Sequence, residues 1–139
     1  MYKDIEYLDS AENISADMVS DFFVGWSNPP DEKTFLKILK NSYKIVIAKN
    51  GNNIVGFITA ISDGILSAYI PFLEVLPDFQ NKGIGAELVH QMKEKLKDIY
   101  MVDLICDSSI DGYYKKLGFT KSSGMILRNY EFQNGKRNK

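Results

Sequence analysis

The sequence predicts a mixed α/β fold. Three observations carry that reading. Stretches rich in β-branched and aromatic residues have strand-like patterning, other stretches repeat apolar residues every three or four positions, and Asn-Gly and Asp-Gly pairs join strands in series.

Tyr2 to Leu8 reads as the first strand. Ser15 is a suitable N-cap for a following helix, with Asp17 placed in its first turn to complement the helix dipole. Met18, Val19, Phe22, Phe23 and Trp26 give that helix one apolar face. Pro29-Pro30 ends it, and Asp31 caps a second helix carrying Phe35, Leu36 and Leu39. Tyr43 to Lys49 and Asn53 to Ile61 flank Asn50-Gly51, a pair suited to the positive φ of a hairpin turn. Asp63-Gly64 repeats the signal ahead of a long strand from Ile65 to Val75. Pro71 lies inside that strand and has no N–H to give to a ladder, so a bulge or a locally unpaired edge is expected there. A helix from about Lys82 to Lys97 buries Ile84, Leu88, Val89, Met92 and Leu96. Met101 to Cys106 is a short apolar strand, and Ser109 to Leu117 is a helix ending at Gly118. Phe119 to Lys121 and Met125 to Phe132 then make a closing hairpin about Ser122-Ser123-Gly124.

The 139 residues are 45% hydrophobic and 25% charged, enough apolar mass for one core. A single domain is expected over residues 1–133, with a frayed basic tail over 134–139. Lys and Arg number 17 against 18 for Asp and Glu, a formal net charge of -1. No global positive field is therefore present to collect nucleic acid or an acidic membrane surface. No apolar run approaches the roughly 20 residues that span a bilayer, and the start lacks the apolar stretch of a signal peptide. The single cysteine, Cys106, makes no internal disulfide and by itself builds no zinc site. Together these features point to a cytoplasmic domain without a metal.

The most informative segment is Leu73-Glu74-Val75-Leu76-Pro77-Asp78-Phe79-Gln80-Asn81-Lys82-Gly83-Ile84-Gly85-Ala86. A strand ends, a short turn follows, and a glycine-containing loop opens into an amphipathic helix. Backbone N–H groups at a helix start, with the positive end of the dipole, suit a phosphate. Gly83 and Gly85 let an anion approach the backbone, and Lys82 adds a positive charge. Two glycines at a helix start can also serve only packing. The dinucleotide fingerprint fails, because Leu88 stands where its third glycine belongs, and no Gly-Lys-Ser/Thr of a P-loop follows.

Gln80-x-x-Gly83-x-Gly85-Ala86, after a strand ending Val75-x-Pro77, resembles the acyl-CoA signature of the GNAT superfamily of N-acetyltransferases. Tyr113-Tyr114-Lys115-Lys116-Leu117-Gly118-Phe119 resembles the superfamily's second motif, and the element order is similar from Tyr2 to about Phe132. The resemblance implies a mostly antiparallel mixed sheet with helices on both faces, splayed between the fourth strand and the fifth, here Met101 to Cys106. It implies acetyl-CoA as cosubstrate and transfer of its acetyl group to an amine by direct attack in a ternary complex. Backbone N–H groups from Lys82 through Ala86 (Lys82, Gly83, Ile84, Gly85 and Ala86), with Gln80 and Asn81 beside them, would hold the pyrophosphate. Leu73 to Val75 would pair with the pantetheine arm, and the Leu73 N–H would polarise the thioester carbonyl.

By the same resemblance Tyr114 is the general acid that protonates the departing thiolate, while Tyr113 reads as aromatic packing. Some histone-type members carry a glutamate base where this chain has Tyr69, so the proton of the amine is left to Tyr69, Glu74, Asp63 or a water relay. His90 reads as a surface residue, Cys106 as a small buried hydrophobe, and Phe22, Phe23 and Trp26 as core that borders the acceptor pocket. A polar residue at Asp107 is common near the cofactor in the superfamily. The acceptor is expected to be a small-molecule amine, with a protein lysine or N-terminus, or a non-catalytic acyl-CoA sensor, as the alternatives. No metal, nucleic acid or membrane partner is implied, and both a monomer and a homodimer fit the sequence.

Overall fold

The computed structural model describes residues 4–137. Tyr2 and Lys3 of the expected first strand, and Asn138 and Lys139 of the tail, lie outside the described residues. The strands are β1 (Ile5–Leu8), β2 (Lys44–Asn50), β3 (Asn53–Ser62), β4 (Ser67–Ile70), β5 (Leu73–Val75) and β6 (Met101–Leu104). The helices are α1 (Glu32–Asn41), α2 (Ile84–Lys95) and α3 (Asp111–Lys116). The sheet runs in the order β1-β2-β3-β4-β6, with β5 also on β3, and its pairs are antiparallel except for the parallel β4–β6.

Alternation along β2 and β3 builds two cores. Ile45, Ile47, Ile54 and Phe57 face α1, where Phe35 and Leu39 meet them. Val46, Ala48, Val55 and Ile58 face α2, where Ile84, Leu88, Val89 and Met92 meet them. The register skips Val55 between Ala48↔Gly56 and Lys49↔Ile54, a bulge that keeps both rows buried on either side of it. Each fully buried Phe, Leu or Ile in these rows contributes about 1.5–3 kcal/mol. Asp31 caps α1 as expected, accepting the Thr34 N–H at 2.8 Å. Gly51, at φ 63°, turns the β2–β3 hairpin.

Two expectations fail. The helix from Ser15 to Trp26 does not form: a single 3-10 turn, Ala16–Met18, is followed by an irregular loop. The backbone takes positive φ at Asp21 (70°), Phe23 (62°) and Gly25 (85°), which no α-helix accommodates. Val19, Phe22 and Phe23 are nevertheless buried, because their partners are rings of other elements, with Phe22–Phe35 at 5.4 Å and Phe22–Phe57 at 5.2 Å. Helical spacing therefore reported burial, and tertiary contacts overrode the local period.

The closing hairpin is also absent. Residues 119–129 join no helix and no ladder, and only a 3-10 turn, Tyr130–Phe132, follows. The chain leaves α3 and crosses to α1. There the Gln133 side chain accepts the Asn28 N–H at 2.8 Å, and Lys136 meets Asp31 at 2.9 Å. These contacts draw the second half of the expected hairpin away from the first. No helix among the described residues is long and apolar enough to cross a membrane.

Candidate active site

The predicted long strand is broken at Pro71 into β4 and β5. Across the break the register on β3 advances by one residue, from Ile61↔Tyr69 to Ile58↔Leu73. This is the bulge that a proline without an N–H predicts. Parallel pairing of β4 with β6 ends at Ile70↔Leu104, and β5 pairs only with β3. Beyond that point the two strands part, so the sheet opens beside Leu73–Val75.

Hydrogen-bond alternation decides what β5 presents to the opening. Leu76 N–H donates to Val55 C=O at 2.8 Å, and Thr59 N–H donates to Phe72 C=O at 3.1 Å. In an antiparallel pair, alternate residues bond to the neighbour and those between them aim outward. Phe72, Glu74 and Leu76 thus face β3, while Leu73 and Val75 turn their N–H and C=O groups to the splay. The Gln80 side-chain amide donates to Val75 C=O at 2.9 Å, tying the loop before α2 to the end of β5.

That loop carries two left-handed residues, Asn81 at φ 61° and Gly83 at φ 86°. Gly83 is the N-cap of α2, and no side chain caps this end, which leaves the first N–H groups of the helix without intrahelical partners. A Cβ on Gly83 would meet nothing within 4 Å, so the loop is open on that side. Lys82 is exposed beside it. The uncapped amides, the space at Gly83 and the outward groups of β5 together fit the pyrophosphate and pantetheine of acetyl-CoA.

Tyr113 and Tyr114 come from α3, whose end is fixed by Gly118 at φ 96° and by Lys93, which donates to Leu117 C=O at 2.7 Å. Their rings meet edge to face at 5.2 Å, and Tyr114 also meets Phe119 at 5.9 Å. Tyr114 is half-buried, and its pKa is pushed up to about 12, first by loss of solvent and then by the neighbouring Cys106 and Tyr113. Tyr113, expected only to pack, has its hydroxyl 2.7 Å from where a Gly85 Cβ would lie, directly over the start of α2. No pattern in the sequence around Tyr113 announces that contact. Leu73, Val75, Leu104, Leu117 and Phe119 border the same core cluster, so β5, β6 and the segment that follows α3 converge there.

Glu74 lies between the two outward-facing residues of β5, and its side chain reaches the opposite face of the sheet. Its carboxylate accepts the Phe23 N–H at 2.9 Å and the Val24 N–H at 3.2 Å. Phe23, Trp26 and Phe72 cluster beside it, with ring centroids 4.9–6.2 Å apart. Nothing in the sequence pairs Glu74 with this loop; the turn-forming Asp21 and Gly25 around Phe22-Phe23 are its only local signal. Asp63 sits in the β3–β4 turn, where the N–H groups of Ile65, Leu66 and Ser67 hold its carboxyl below the usual range. The whole of β4 separates it from Leu73. Tyr69 is half-buried on β4, His90 is exposed on α2, and Cys106 follows β6. A separate concavity of about 280 Å³ opens between β1 and α2 at Tyr7, Asp9, Glu12 and Gln91, away from the glycine loop and the tyrosines. No group of three His, Cys, Asp or Glu among the described residues is arranged to hold a metal.

The chain matches the model of the acetyltransferase (GNAT) domain over residues 11–130. It is 35% identical over 128 residues to an uncharacterized N-acetyltransferase of the alga Pyropia yezoensis, covering 86% of this chain and 72% of that protein. It is 33% identical over 109 residues to a histone acetyltransferase of Glycine max, covering 69% of this chain and 47% of that protein. A crystal structure of a candidate acetyltransferase from Deinococcus radiodurans R1 superposes with a TM-score of 0.95 at 37% identity, covering 98% of this chain and 96% of that one. Both motif segments fall inside the matched residues, and the splayed sheet is the shared architecture: the chain belongs to the GNAT family and is an acetyl-CoA-dependent acyltransferase.

Proposed function

We propose that the protein moves the acetyl group of acetyl-CoA to the amine of a small molecule by direct attack in a ternary complex. The observation that carries this reading is the outward aim of Leu73 and Val75, on the open side of β5, next to the uncapped start of α2. Acetyl-CoA supplies the activated acetyl thioester; the chain's own groups bind it, orient it and handle protons.

Backbone N–H groups from Lys82 through Ala86 hold the pyrophosphate, with Gly83 leaving the approach open and Gly85 making room for the Tyr113 hydroxyl over the helix start. Gln80 and Asn81 shape the loop that aims those groups. The outward groups of Leu73 and Val75 align the pantetheine arm, and the Leu73 N–H donates to the thioester oxygen, a role worth a few kcal/mol where measured. Tyr114 gives its proton to the departing thiolate. Burial keeps that phenol protonated throughout the working range, so the acid is always loaded.

An amine near pKa 10 must lose a proton before it attacks. Both oxygens of Glu74 accept backbone amides, and Asp63 is tied up in its own turn. We therefore assign deprotonation to water, with Tyr69, half-buried on β4, the remaining candidate side chain. The aromatic wall of Phe23, Trp26 and Phe72 supports an acceptor with apolar carbons beside its amine. Likeness to a protein named as a histone acetyltransferase favours a protein lysine as the second reading.

Thiol release from acetyl-CoA, measured across polyamines, amino acids, aminoglycosides and lysine peptides, tests the assignment. Turnover confined to one small-amine class is expected. Turnover with peptides alone selects the second reading, and tight binding without turnover on any amine defeats catalysis in favour of sensing. Acetylated Cys106 in a rapid-quench experiment rules out direct attack.

A further inference from the structure

The loop from Val19 to Pro30 has neither helix nor ladder to hold it, and its N–H groups need partners from elsewhere. Two side chains distant in sequence supply them. Glu74 takes the Phe23 and Val24 N–H groups at one end. At the other end the Gln133 side-chain oxygen accepts the Asn28 N–H at 2.8 Å, joining residues 105 apart, and the Ser27 hydroxyl donates to it at 3.4 Å. Trp26 falls between these two clamps. Its N–H donates to Phe23 C=O at 3.1 Å, closing a tight turn. Its ring lies 4.9 Å from that of Phe23 and 6.2 Å from that of Phe72, which immediately precedes β5, and the residue is 39% exposed.

Local turn chemistry aims Gln133 at this loop. After the 3-10 turn Tyr130–Phe132, the Gln133 N–H returns to Tyr130 C=O at 3.2 Å, and Gly135, at φ 77°, returns its N–H to Phe132 C=O at 2.9 Å. The Asn134 side chain accepts the Lys136 N–H at 2.9 Å. A Cβ on Gly135 would lie 3.1 Å from the Thr34 side chain, so the bend passes close over the first turn of α1. Lys136 then meets Asp31 at 2.9 Å, but both side chains are largely in solvent, where an ion pair contributes little. The hold on the loop therefore rests on the half-buried Gln133.

We propose that Gln133 is a positioning residue for acetyl transfer: it fixes the Ser27–Asn28 end of the loop so that Trp26 presents its ring to the acceptor. This rests on the reading above, in which Phe23, Trp26 and Phe72 border the acceptor. Glu74 alone leaves the chain beyond Val24 free to swing. A second attachment past Trp26 removes that freedom, and a wall ordered before the acceptor arrives lowers the cost of binding it.

Gln133→Leu keeps most of the bulk and removes the accepting oxygen; Gln133→Ala repeats the test if leucine is poorly tolerated. On the full chain either should raise the acceptor KM by about fivefold, the effect of one net hydrogen bond, while kcat and acetyl-CoA affinity hold. Gln133→Glu still accepts both donors and should return KM to the parent value. Trp26 is the only tryptophan of the chain, so its fluorescence reads the loop directly. Quenching by acrylamide should increase in the Leu variant and stay at the parent level in the Glu variant. In a Trp26→Ala background, Gln133→Leu should raise KM no further, because the glutamine acts through the ring. With the parent chain active, an unchanged KM in Gln133→Leu, a Glu variant as impaired as the Leu variant, or full additivity with Trp26→Ala overturns the proposal alone. A parent chain that turns over no amine defeats the transferase reading, and the proposal with it.

Discussion

The Glu74 carboxylate accepts the Phe23 N–H at 2.9 Å, joining residues 51 apart in the chain and fixing a non-glycine residue at φ 62°. Its second oxygen takes the Val24 N–H. A single side chain thus replaces the hydrogen bonds that a helix through Phe23 would have made, and it ties the loop to the strand that faces the opening. Glu74→Ala removes both acceptors and should cost about 2–3 kcal/mol, the range for hydrogen bonds to a charged group. Glu74→Gln keeps one good acceptor and should cost less. Urea unfolding measures the loss. In kinetics we expect the acceptor KM to rise while acetyl-CoA affinity holds, with most of kcat retained in Glu74→Gln. A kcat as low in Glu74→Gln as in Glu74→Ala would instead mark Glu74 as a base.

Tyr114→Phe should lower kcat by roughly tenfold or more with little change in acetyl-CoA affinity, because in the proposed mechanism the hydroxyl acts on the leaving group and adds little to ground-state binding. Its raised pKa also fixes a pH dependence. The folded state holds the Tyr114 proton more tightly than the unfolded state does, so its contribution to stability is full below about pH 10, the unfolded value, and is lost as the pH climbs toward about 12. The Phe variant should lack that part of the alkaline decline. No fall in kcat assignable to Tyr114 should appear below about pH 10. Unfolding midpoints and kcat measured over this range check both statements.

Gly85→Ala sets a Cβ 2.7 Å from the Tyr113 hydroxyl and 3.7 Å from Val75. The ring can swing aside, and alanine is favoured over glycine inside a helix by about 1 kcal/mol, so stability should change little. Acetyl-CoA binding should nevertheless weaken by about tenfold, since the displaced ring and the new methyl crowd the N–H groups of the helix start. Adding Tyr113→Phe removes the clashing oxygen and should restore part of the affinity. A double-mutant cycle by calorimetry reads this coupling; strict additivity would separate Tyr113 from the glycine loop.

Much of this site was legible because it rests on local chemistry. Pro71 announces a bulge wherever it falls in a strand, and Gly83 and Gly85 at a helix start mark an open backbone. The Tyr113–Tyr114 pair sits at a recognisable distance from both. What escaped depends on contacts distant in sequence. Val19, Phe22 and Phe23 keep helical spacing although the chain there is a loop, since their burial is arranged by Phe35, Phe57 and Phe72. Met125 to Phe132 has the composition of a strand, and β propensity says only that a segment suits a ladder. Whether a ladder is within reach depends on where Gln133 and Lys136 dock.

Thr59 is the one buried side chain among the described residues whose polar atom has no hydrogen-bond partner. It is fully buried in β3, and its N–H is committed to Phe72 C=O at 3.1 Å while its hydroxyl is left alone. An orphaned buried hydroxyl costs about 1–3 kcal/mol relative to a paired one. Thr59→Val keeps the branched shape and the backbone N–H while removing that oxygen, and it should stabilise the fold by about 1 kcal/mol. Thr59→Ser keeps the hydroxyl and deletes the methyl, so it should destabilise by a similar amount through the space it leaves. Urea unfolding of the two variants beside the parent chain separates the effects. A Val variant less stable than the parent would mean that the hydroxyl is satisfied in solution by a buried water at the Pro71 break.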